Sequence, residues 1–306
     1  MKAVRIHAYG GPEQLLFEDG VPDPQLKANA VLIRSTAASI NPIDWKIRSG
    51  ARQKDFPQVM PVILGRDVAG TVQAVGADVH HFKIGDRVAA FTVRTYAELV
   101  AVEAALVTHL PDGIDLEQAA AMPLACLTGD QLVRVSTQVK AGETILVSGA
   151  LGAVGRAAAH AAKKLGAHVI AGVRAKQLSE AHALGVASVV AIDDDRAISN
   201  LAPLDAVADT VGNETAVKLL AKIRDGGSFG YASVLPEEAQ TQYAHVEIKR
   251  VFCKADPAKV REFADDIRDG KYTLPIARRL PLSEAAQAHR LGEKGGIGKI
   301  LLLTGL

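Results

Sequence analysis

The sequence predicts an α/β protein in which a doubly wound parallel sheet is joined to a β-rich region. From about residue 144 onward, short apolar runs alternate with amphipathic stretches, which is typical of parallel strands linked by right-handed helical crossovers. Before about residue 120, short apolar runs are separated by Gly and Pro, which favours a compact antiparallel barrel or sandwich. The length of 306 residues suggests two domains at roughly 150 residues each.

In the first third, strands are predicted at residues 31–33, 68–75 and 87–91. Segments rich in turn-forming residues lie between the strands of this region, for example Gly10-Gly11-Pro12 and Asn41-Pro42.

The later elements follow in order along the chain. A strand at 144–147 is followed by a helix, because apolar residues recur at helical spacing from Val154 to Leu165 and Gly166 supplies a stop. The remaining predicted strands are 169–173, 188–192, 205–209, 228–231 and a closing strand at 299–303. The remaining predicted helices are 177–184, 214–224 and 258–269.

Composition excludes several functional classes. Lys and Arg number 35 against 34 Asp and Glu, so no charge excess indicates a nucleic acid or an anionic membrane surface as partner. The longest apolar stretch, 119–127, is interrupted by Pro123 and is shorter than the ~20 residues of a membrane span. Two distant cysteines, Cys126 and Cys253, cannot form a disulfide framework or a four-cysteine zinc lobe. They fit a reducing compartment, and a cytoplasmic location is expected.

The glycine motif Gly149-x-x-Gly152-x-x-Gly155 carries the strongest functional signal, because a strand enters it and an amphipathic helix leaves it. Such glycines let the backbone approach a pyrophosphate, whose charge lies on the N–H groups at the helix N-terminus. The turn formed by Gly149, Ala150, Gly152, Ala153, Val154 and Gly155 is therefore predicted to bind a dinucleotide. The alternative is a glycine-rich turn without a ligand.

The next strand indicates which dinucleotide is bound. An acidic residue at its end would bond the ribose hydroxyls of NAD, but Arg174 and Lys176 stand there instead. Two cations attract a 2′-phosphate, so the sequence predicts NADP(H). The alternative is that both are ordinary solvated surface residues.

Several motifs in order resemble a known family. They are the segments 41–50, 61–70 and 79–88, then Tyr96-Ala97-Glu98, Leu127-Thr128 and Gly298-Lys299-Ile300. The first of these, which begins Asn41-Pro42-Ile43-Asp44, looks like the NPxDxxxRxG signature of zinc-independent NADPH:quinone oxidoreductases. These proteins form the zeta-crystallin-like branch of the medium-chain dehydrogenase/reductase superfamily.

The resemblance implies a Rossmann domain inserted in a GroES-like β-rich catalytic domain, with the substrate cleft at their junction. The catalytic domain would comprise residues 1–122 and 253–306, and the NADP(H)-binding domain residues 123–252. Members transfer hydride from NADPH to quinones or to the double bond of conjugated enones. They are usually homodimers or homotetramers.

The resemblance also bears on metal chemistry. Zinc-dependent members of the superfamily use a Cys and a Gly-His-Glu motif, and the matching positions here are Asn41 and Arg66-Asp67. An amide and a guanidinium are not useful zinc ligands, so no catalytic metal is expected.

By the same resemblance, Asn41 and Thr128 lie near the nicotinamide, and Phe229, Gly230, Ala232 and Ser233 line the cofactor cleft. Without that context, Asn41-Pro42 would read as a turn. Lys46 stands where many relatives have Tyr; it either stabilises a developing oxyanion or pairs with Asp44 and points to solvent.

Three functions remain open from the sequence. The first is an NADPH-dependent quinone reductase acting on a small-molecule quinone. The second is an enone or alkenal double-bond reductase on the same scaffold. The third is a non-catalytic NADPH-binding regulator or RNA-binding protein, which is disfavoured because aromatic residues are only 4% and no basic surface is indicated.

Overall fold

A computed structural model of the chain describes residues 1–296 and 298–305. The chain divides into two compact units. One, the catalytic unit, comprises Met1–Leu124 with Ala255–Leu306, and the other, the nucleotide unit, comprises Ala125–Lys254.

The strands, in chain order, are β1 (Ala3–Ile6), β2 (Leu16–Glu18), β3 (Ala30–Ser39), β4 (Val62–Ile63), β5 (Asp67–Val75), β6 (Arg87–Phe91), β7 (Leu99–Glu103), β8 (Val107–His109), β9 (Thr144–Ser148), β10 (His168–Val173), β11 (Ser188–Ala191), β12 (Leu204–Asp209), β13 (Ile223–Tyr231), β14 (Glu247–Arg250), β15 (Ile276–Pro281) and β16 (Lys299–Leu303). The α-helices are α1 (Pro42–Arg48), α2 (Leu116–Ala120), α3 (Pro123–Gln131), α4 (Ala153–Lys164), α5 (Leu178–Ala181), α6 (Asp195–Ser199), α7 (Asn213–Leu220), α8 (Glu238–Gln242), α9 (Pro257–Arg268) and α10 (Ala285–Lys294).

The nucleotide unit is built on one sheet with the strand order β11-β10-β9-β12-β13-β14. All of its strand pairs are parallel. The central strand β9 buries Ile145, Leu146 and Val147 completely, as expected for a strand covered on both faces. This order matches the doubly wound dinucleotide-binding fold, and the predicted fold class is confirmed.

Helix α4 shows why the sequence after the glycine motif is helical. Gly152 is its N-cap, and the alanines at positions 157, 158, 161 and 162 place a buried stripe against the sheet. Gly166 adopts φ +81°, a left-handed conformation that favours glycine and ends the helix. No helix of the described residues is long and apolar enough to cross a membrane.

Two predicted helices differ from the structure. The helix predicted at 214–224 is wrong at its end, because α7 stops at Leu220 and Ile223 already pairs with Leu204 as the start of β13. A register shift in that pairing lets the strand continue through Gly226 and Gly227, so β13 begins five residues before the strand predicted at 228–231. The helix predicted at 177–184 contains one α-helical segment, α5, between two short 3₁₀ turns.

The catalytic unit carries a sheet ordered β15-β16-β3-β5-β6-β8, with β7 also paired to β3, and a smaller sheet β2-β1-β4. Most pairs are antiparallel, as predicted, while β15 and β16 are parallel. The closing strand β16 pairs with β3 through Leu301–Ser39 and Leu302–Ala38. The C-terminal strand therefore completes the sheet begun by the N-terminal third.

We expect Leu302→Ala to lower the free energy of unfolding of the catalytic unit by about 2–5 kcal/mol, because Leu302 is fully buried and its loss leaves a cavity. Ile84→Ala, at a side chain that is 71% exposed, should stay within about 0.5 kcal/mol. Trp45, the single tryptophan, packs against the cluster that contains Leu302, so its fluorescence during urea unfolding reports both variants. Equal effects of the two substitutions would contradict this account of the core.

Candidate functional site

The glycine turn lies at the carboxyl end of β9, where it leads into α4. A Cβ on Gly155 would lie 2.2 Å from the carbonyl oxygen of Gly149, so the turn closes only with glycine at that position. Gly149 has φ +62°, which also favours glycine. The N–H groups of the first turn of α4 have no partner within the helix and can bind an anion. The structure thus brings together Gly149, Ala150, Gly152, Ala153, Val154 and Gly155.

A buried carboxylate organises the same edge of the sheet. Asp209, the last residue of β12, accepts hydrogen bonds from the hydroxyls of Ser148 (2.6 Å) and Ser233 (2.7 Å) and is fully buried. The backbone N–H of Ala232 donates to the carbonyl oxygen of Asp209 at 2.9 Å. Ala232 and Ser233 are therefore fixed at the carboxyl edge of the sheet, where doubly wound folds bind ligands.

Phe229 and Gly230 lie near the carboxyl end of strand β13. Phe229 is fully buried in the core beside Tyr231, at 6.2 Å between ring centroids. Gly230 is buried too, and a Cβ there would meet the carbonyl oxygen of Leu132 at 3.0 Å. Gly230 pairs with Ala208 and Phe229 with Val207, so both residues stand just before the edge of the sheet that carries Ser233. Their role in the cofactor cleft stays a prediction.

Arg174 and Lys176 are exposed directly after β10. The turn that holds them is fixed because the backbone N–H of Ala175 donates to Asp193 Oδ1 at 2.7 Å. The guanidinium of Arg174 and the ammonium of Lys176 are both exposed to solvent at this strand end. Both groups are chemically suited to bind a phosphate.

Thr128 lies partly exposed on α3. The neighbouring Gly129 packs so closely on α4 that a Cβ would lie 2.6 Å from the carbonyl oxygen of Val154. This contact places the Thr128 segment against the first turn of α4.

In the catalytic unit, Asn41 belongs to a buried polar network centred on Asp67. Asp67 Oδ2 accepts hydrogen bonds from the Ser39 hydroxyl and from Asn41 Nδ2 (2.8 Å), and Lys299 Nζ lies 3.6 Å away. Asp67 Oδ1 accepts from the backbone N–H of Leu124 at 2.7 Å. These side chains meet because they stand at one end of the adjacent strands β3, β5 and β16.

The orientation of the Asn41 amide follows from its partners. Lys299 Nζ can only donate, and it lies 2.8 Å from Asn41 Oδ1; the Asp67 carboxylate accepts, and it faces Nδ2. Asn41 is 3% exposed, so both ends of its amide are engaged inside the unit. Among the residues that the structure describes, no group of three or more His, Cys, Asp or Glu side chains is arranged to hold a metal ion.

A second network begins three residues later, at Asp44 on α1. Asp44 Oδ2 accepts from the backbone N–H of Asn41 (2.8 Å) and from the hydroxyl of Tyr96 (2.9 Å). The Tyr96 hydroxyl also contacts His289 Nε2 at 3.2 Å, and His289 Nδ1 lies 3.0 Å from an Arg48 nitrogen. Burial raises the pKa of Asp44 to about 7, against the opposing effect of the Tyr96 hydrogen bond. Burial, together with the charge of Arg48, lowers the pKa of His289 to about 3.

Asp44 borders a cavity of about 150 Å³. Lys46 is half-buried on the same helix, α1. The cavity is lined by Asp44, Ile47, Gln58, Ile63, Leu64, Gly65, Arg66, Val93 and Arg94.

Sequence reasoning missed the roles of Asp209, Tyr96, His289 and Lys299. Tyr96 and Lys299 belong to the motifs Tyr96-Ala97-Glu98 and Gly298-Lys299-Ile300, but a single sequence does not show which distant side chain each of them contacts. His289 carried no signal at all, because its partners lie more than 190 positions away in the sequence.

Comparisons with known proteins agree with this architecture. The alcohol dehydrogenase GroES-like domain matches residues 27–112, and the zinc-binding dehydrogenase family matches residues 184–302. The chain is 34% identical to a quinone oxidoreductase of Pseudomonas aeruginosa over 99% of both chains. It is 32% identical to a quinone oxidoreductase of Sus scrofa, over 99% of this chain and 98% of that protein.

Among solved structures, the quinone oxidoreductase of Escherichia coli complexed with NADPH superposes with a TM-score of 0.86 at 27% identity, covering 99% of this chain and 100% of that one. Sequence identity above 30% along nearly the whole length of the Pseudomonas aeruginosa and Sus scrofa proteins shows that this chain belongs to their family, and not only that it shares their fold. The chain therefore belongs to the quinone oxidoreductase branch of the medium-chain dehydrogenase/reductase superfamily.

Proposed function

We propose that this protein is an NADPH-dependent enzyme that reduces quinones by hydride transfer. The observation that carries the proposal is the match, along nearly the whole chain, to proteins named quinone oxidoreductases, together with an NADPH-bound structure of the same fold. The glycine turn and the two cations after β10 supply the matching chemistry in this chain.

The residues present fit the cofactor. The N-terminus of α4, with Gly149, Gly152 and Gly155 beneath it, holds the pyrophosphate, and Arg174 and Lys176 bind the 2′-phosphate. Ala232 and Ser233 form the wall of the cofactor site at the sheet edge, because Asp209 fixes both of them. When bound, NADPH supplies the hydride.

The acceptor side of the site works without zinc. Both oxygens of the Asp67 carboxylate are already engaged, by the Lys299 ammonium and by donors from Ser39, Asn41 and Leu124, which disfavours a metal there. An amide and a guanidinium, on Asn41 and Arg66, occupy the other positions that zinc-dependent relatives use for ligands, and neither group is a useful zinc ligand.

In this proposal Asn41 and Lys46 serve the acceptor, and Thr128 serves the cofactor. Asn41 fixes the entry to α1 through its bonds to Asp67 and Lys299. Thr128 borders the nicotinamide, supported by the packing of Gly129 on α4. Lys46 stabilises negative charge that develops on the acceptor oxygen.

We also propose a cytoplasmic homodimer or homotetramer assembled through the nucleotide units. Strand β14 is the last strand in its sheet, and the exposed Phe252 follows it, stacked under Arg250 at 5.2 Å. An unpaired edge with an exposed aromatic side chain suits pairing with a second copy. Cys126 and Cys253 do not form a disulfide, which fits a reducing compartment.

We expect Arg174→Ala to raise the KM for NADPH roughly 10–100-fold, because losing a charge-assisted bond to the 2′-phosphate costs about 1.5–3 kcal/mol. The KM for NADH, which lacks that phosphate, should change little. Arg278→Ala, at an exposed arginine of the catalytic unit, is the matched control and should leave both constants unchanged. Steady-state kinetics with the two cofactors measures the effect, and equal changes with NADPH and NADH would contradict the assignment.

Protein treated with EDTA and dialysed should oxidise NADPH with a quinone at an undiminished rate, because no step uses a metal. The same protein is assayed in parallel with a conjugated enone. Faster turnover of the enone would favour a double-bond reductase, and turnover of neither acceptor would favour a non-catalytic NADPH-binding protein. Loss of quinone reduction that zinc restores would contradict the metal-free site.

A further inference from the structure

An arginine stands at the beginning of α4, where a cation by itself is unfavourable. Arg156 belongs to the first turn of this helix, and that turn contains no acidic residue. The N-terminal end of a helix carries partial positive charge, so a cation there is destabilising unless another group offsets it. Residues that break such a local rule are expected at functional sites. The surroundings of Arg156 therefore bear on what this turn binds.

The Arg156 side chain joins the two segments that are expected to hold the phosphates of the cofactor. Its Nε–H donates to the carbonyl oxygen of Leu151, within the glycine turn, at 3.0 Å. Its Nη2 donates at 3.0 Å to Oε1 of Glu180, which lies on α5. Helix α5 follows directly after the turn that carries Arg174 and Lys176. The guanidinium of Arg156 therefore lies between the glycine turn and the segment that follows β10.

Most of the donor capacity of this guanidinium is left over. A guanidinium has five N–H donors, and the bonds to Leu151 and Glu180 use two of them. Within residues 1–296 and 298–305, the other N–H groups of the Arg156 side chain have no hydrogen-bond partner. The side chain is only 14% exposed, so it is held in place and largely withdrawn from water. Such a cation, beside the N–H groups that begin α4, is suited to bind a phosphate.

We propose that Arg156 is a third cation of the dinucleotide site, and that its remaining N–H groups bind a phosphate of the cofactor. This inference rests on the proposed function, because it takes NADPH as the cofactor. Two phosphate groups are expected at the segments that Arg156 joins. They are the pyrophosphate at the glycine turn and the 2′-phosphate beside Arg174 and Lys176. Both offer a guanidinium the same anionic oxygens.

Glu180 acts on the same site in two opposite ways. In the protein without cofactor, its carboxylate offsets the cost of placing the Arg156 cation at the helix N-terminus. When a phosphate binds, the same carboxylate repels it and keeps hold of part of the Arg156 charge. Glu180 is 60% exposed, so this repulsion is screened by water and by salt. Glu180 therefore stabilises the empty turn and weakens the binding of the cofactor.

Arg156→Met keeps the aliphatic stem and removes the charge, and titration calorimetry measures its dissociation constants for NADPH and NADH. We expect the dissociation constant for NADPH to rise roughly 10-fold or more, because a charge-assisted hydrogen bond is lost. Arg156→Lys keeps the charge without the planar fork and should recover part of the affinity. Arg224→Met is the matched control, since Arg224 pairs with Asp205 at 2.6 Å near the start of β12, at the opposite edge of the sheet. Its dissociation constants should equal those of the wild type.

The two cofactors show which phosphate Arg156 binds. NADH lacks the 2′-phosphate, so a loss of affinity confined to NADPH assigns the bond to that group. An equal loss for NADPH and NADH assigns it to the pyrophosphate, and either result supports a third cation. Wild-type dissociation constants for both cofactors in Arg156→Met would overturn the proposal.

Glu180→Gln separates a phosphate-binding charge from a contact that merely ties α4 to α5. The amide oxygen of the variant can still accept the bond from Arg156, so a purely structural contact predicts unchanged or weaker binding of NADPH. Loss of the repelling carboxylate predicts the reverse, a dissociation constant roughly 2–5-fold lower than that of the wild type at low salt. This gain should disappear at about 1 M salt, where charges are screened over roughly 3 Å. Unchanged or weaker binding at low salt would overturn the proposal.

Binding is measured without an acceptor, so the result does not depend on turnover. If Arg156→Met binds NADPH more weakly and the wild-type protein reduces no quinone, the proposed function is wrong and the third cation stands. If the wild-type protein reduces quinones and Arg156→Met binds both cofactors as the wild type does, the third cation is wrong and the proposed function stands. Thermal unfolding without cofactor checks that each variant is folded. Glu180→Gln leaves the guanidinium in place and carries the test alone if Arg156→Met does not fold.

Discussion

The buried carboxylate of Asp67 is the interaction on which the catalytic unit depends. A fully buried carboxylate is costly unless it is bonded on every side, and Asp67 meets the Lys299 ammonium, two side-chain donors and the N–H of Leu124. Those partners come from the ends of β3 and β16 and from the start of α3. Strand β16 is therefore held to the N-terminal third by the ion pair between Lys299 and Asp67 as well as by its backbone pairing with β3, in which Leu302 lies opposite Ala38.

Asn41 joins this ion pair to the second network, around Asp44. Its side chain lies between Asp67 and Lys299, and its backbone N–H donates to Asp44 Oδ2. One residue thus fixes both the start of α1 and the Asp44 carboxyl. By the family resemblance, Asn41 stands where zinc-dependent members have a metal ligand. In this chain Lys299 supplies a fixed positive charge beside Asn41.

The parts that were predictable from the sequence are those set by local pattern. The glycine turn, α4 and strands β9 to β12 of the nucleotide unit follow from apolar period and from glycine placement, and they are confirmed. The end of α7 was misplaced because an irregular pairing of Ile223 with Leu204, which is a tertiary contact, starts β13 earlier than the apolar pattern indicates. The networks around Asp67 and Asp44 join residues as far apart as Asn41 and Lys299, and neither periodicity nor spacing encodes such a meeting.

The free energy of unfolding of Lys299→Met, followed by Trp45 fluorescence, tests the central claim most directly. The single variant leaves Asp67 buried without its cation, and we expect a loss of about 3–5 kcal/mol. Adding Asp67→Asn removes the uncompensated charge and should recover most of that loss, as expected when both members of a buried pair are replaced. A loss below about 1 kcal/mol in the single variant, or a double variant that loses the sum of both single effects, would contradict the claim that the internal ion pair holds the catalytic unit together.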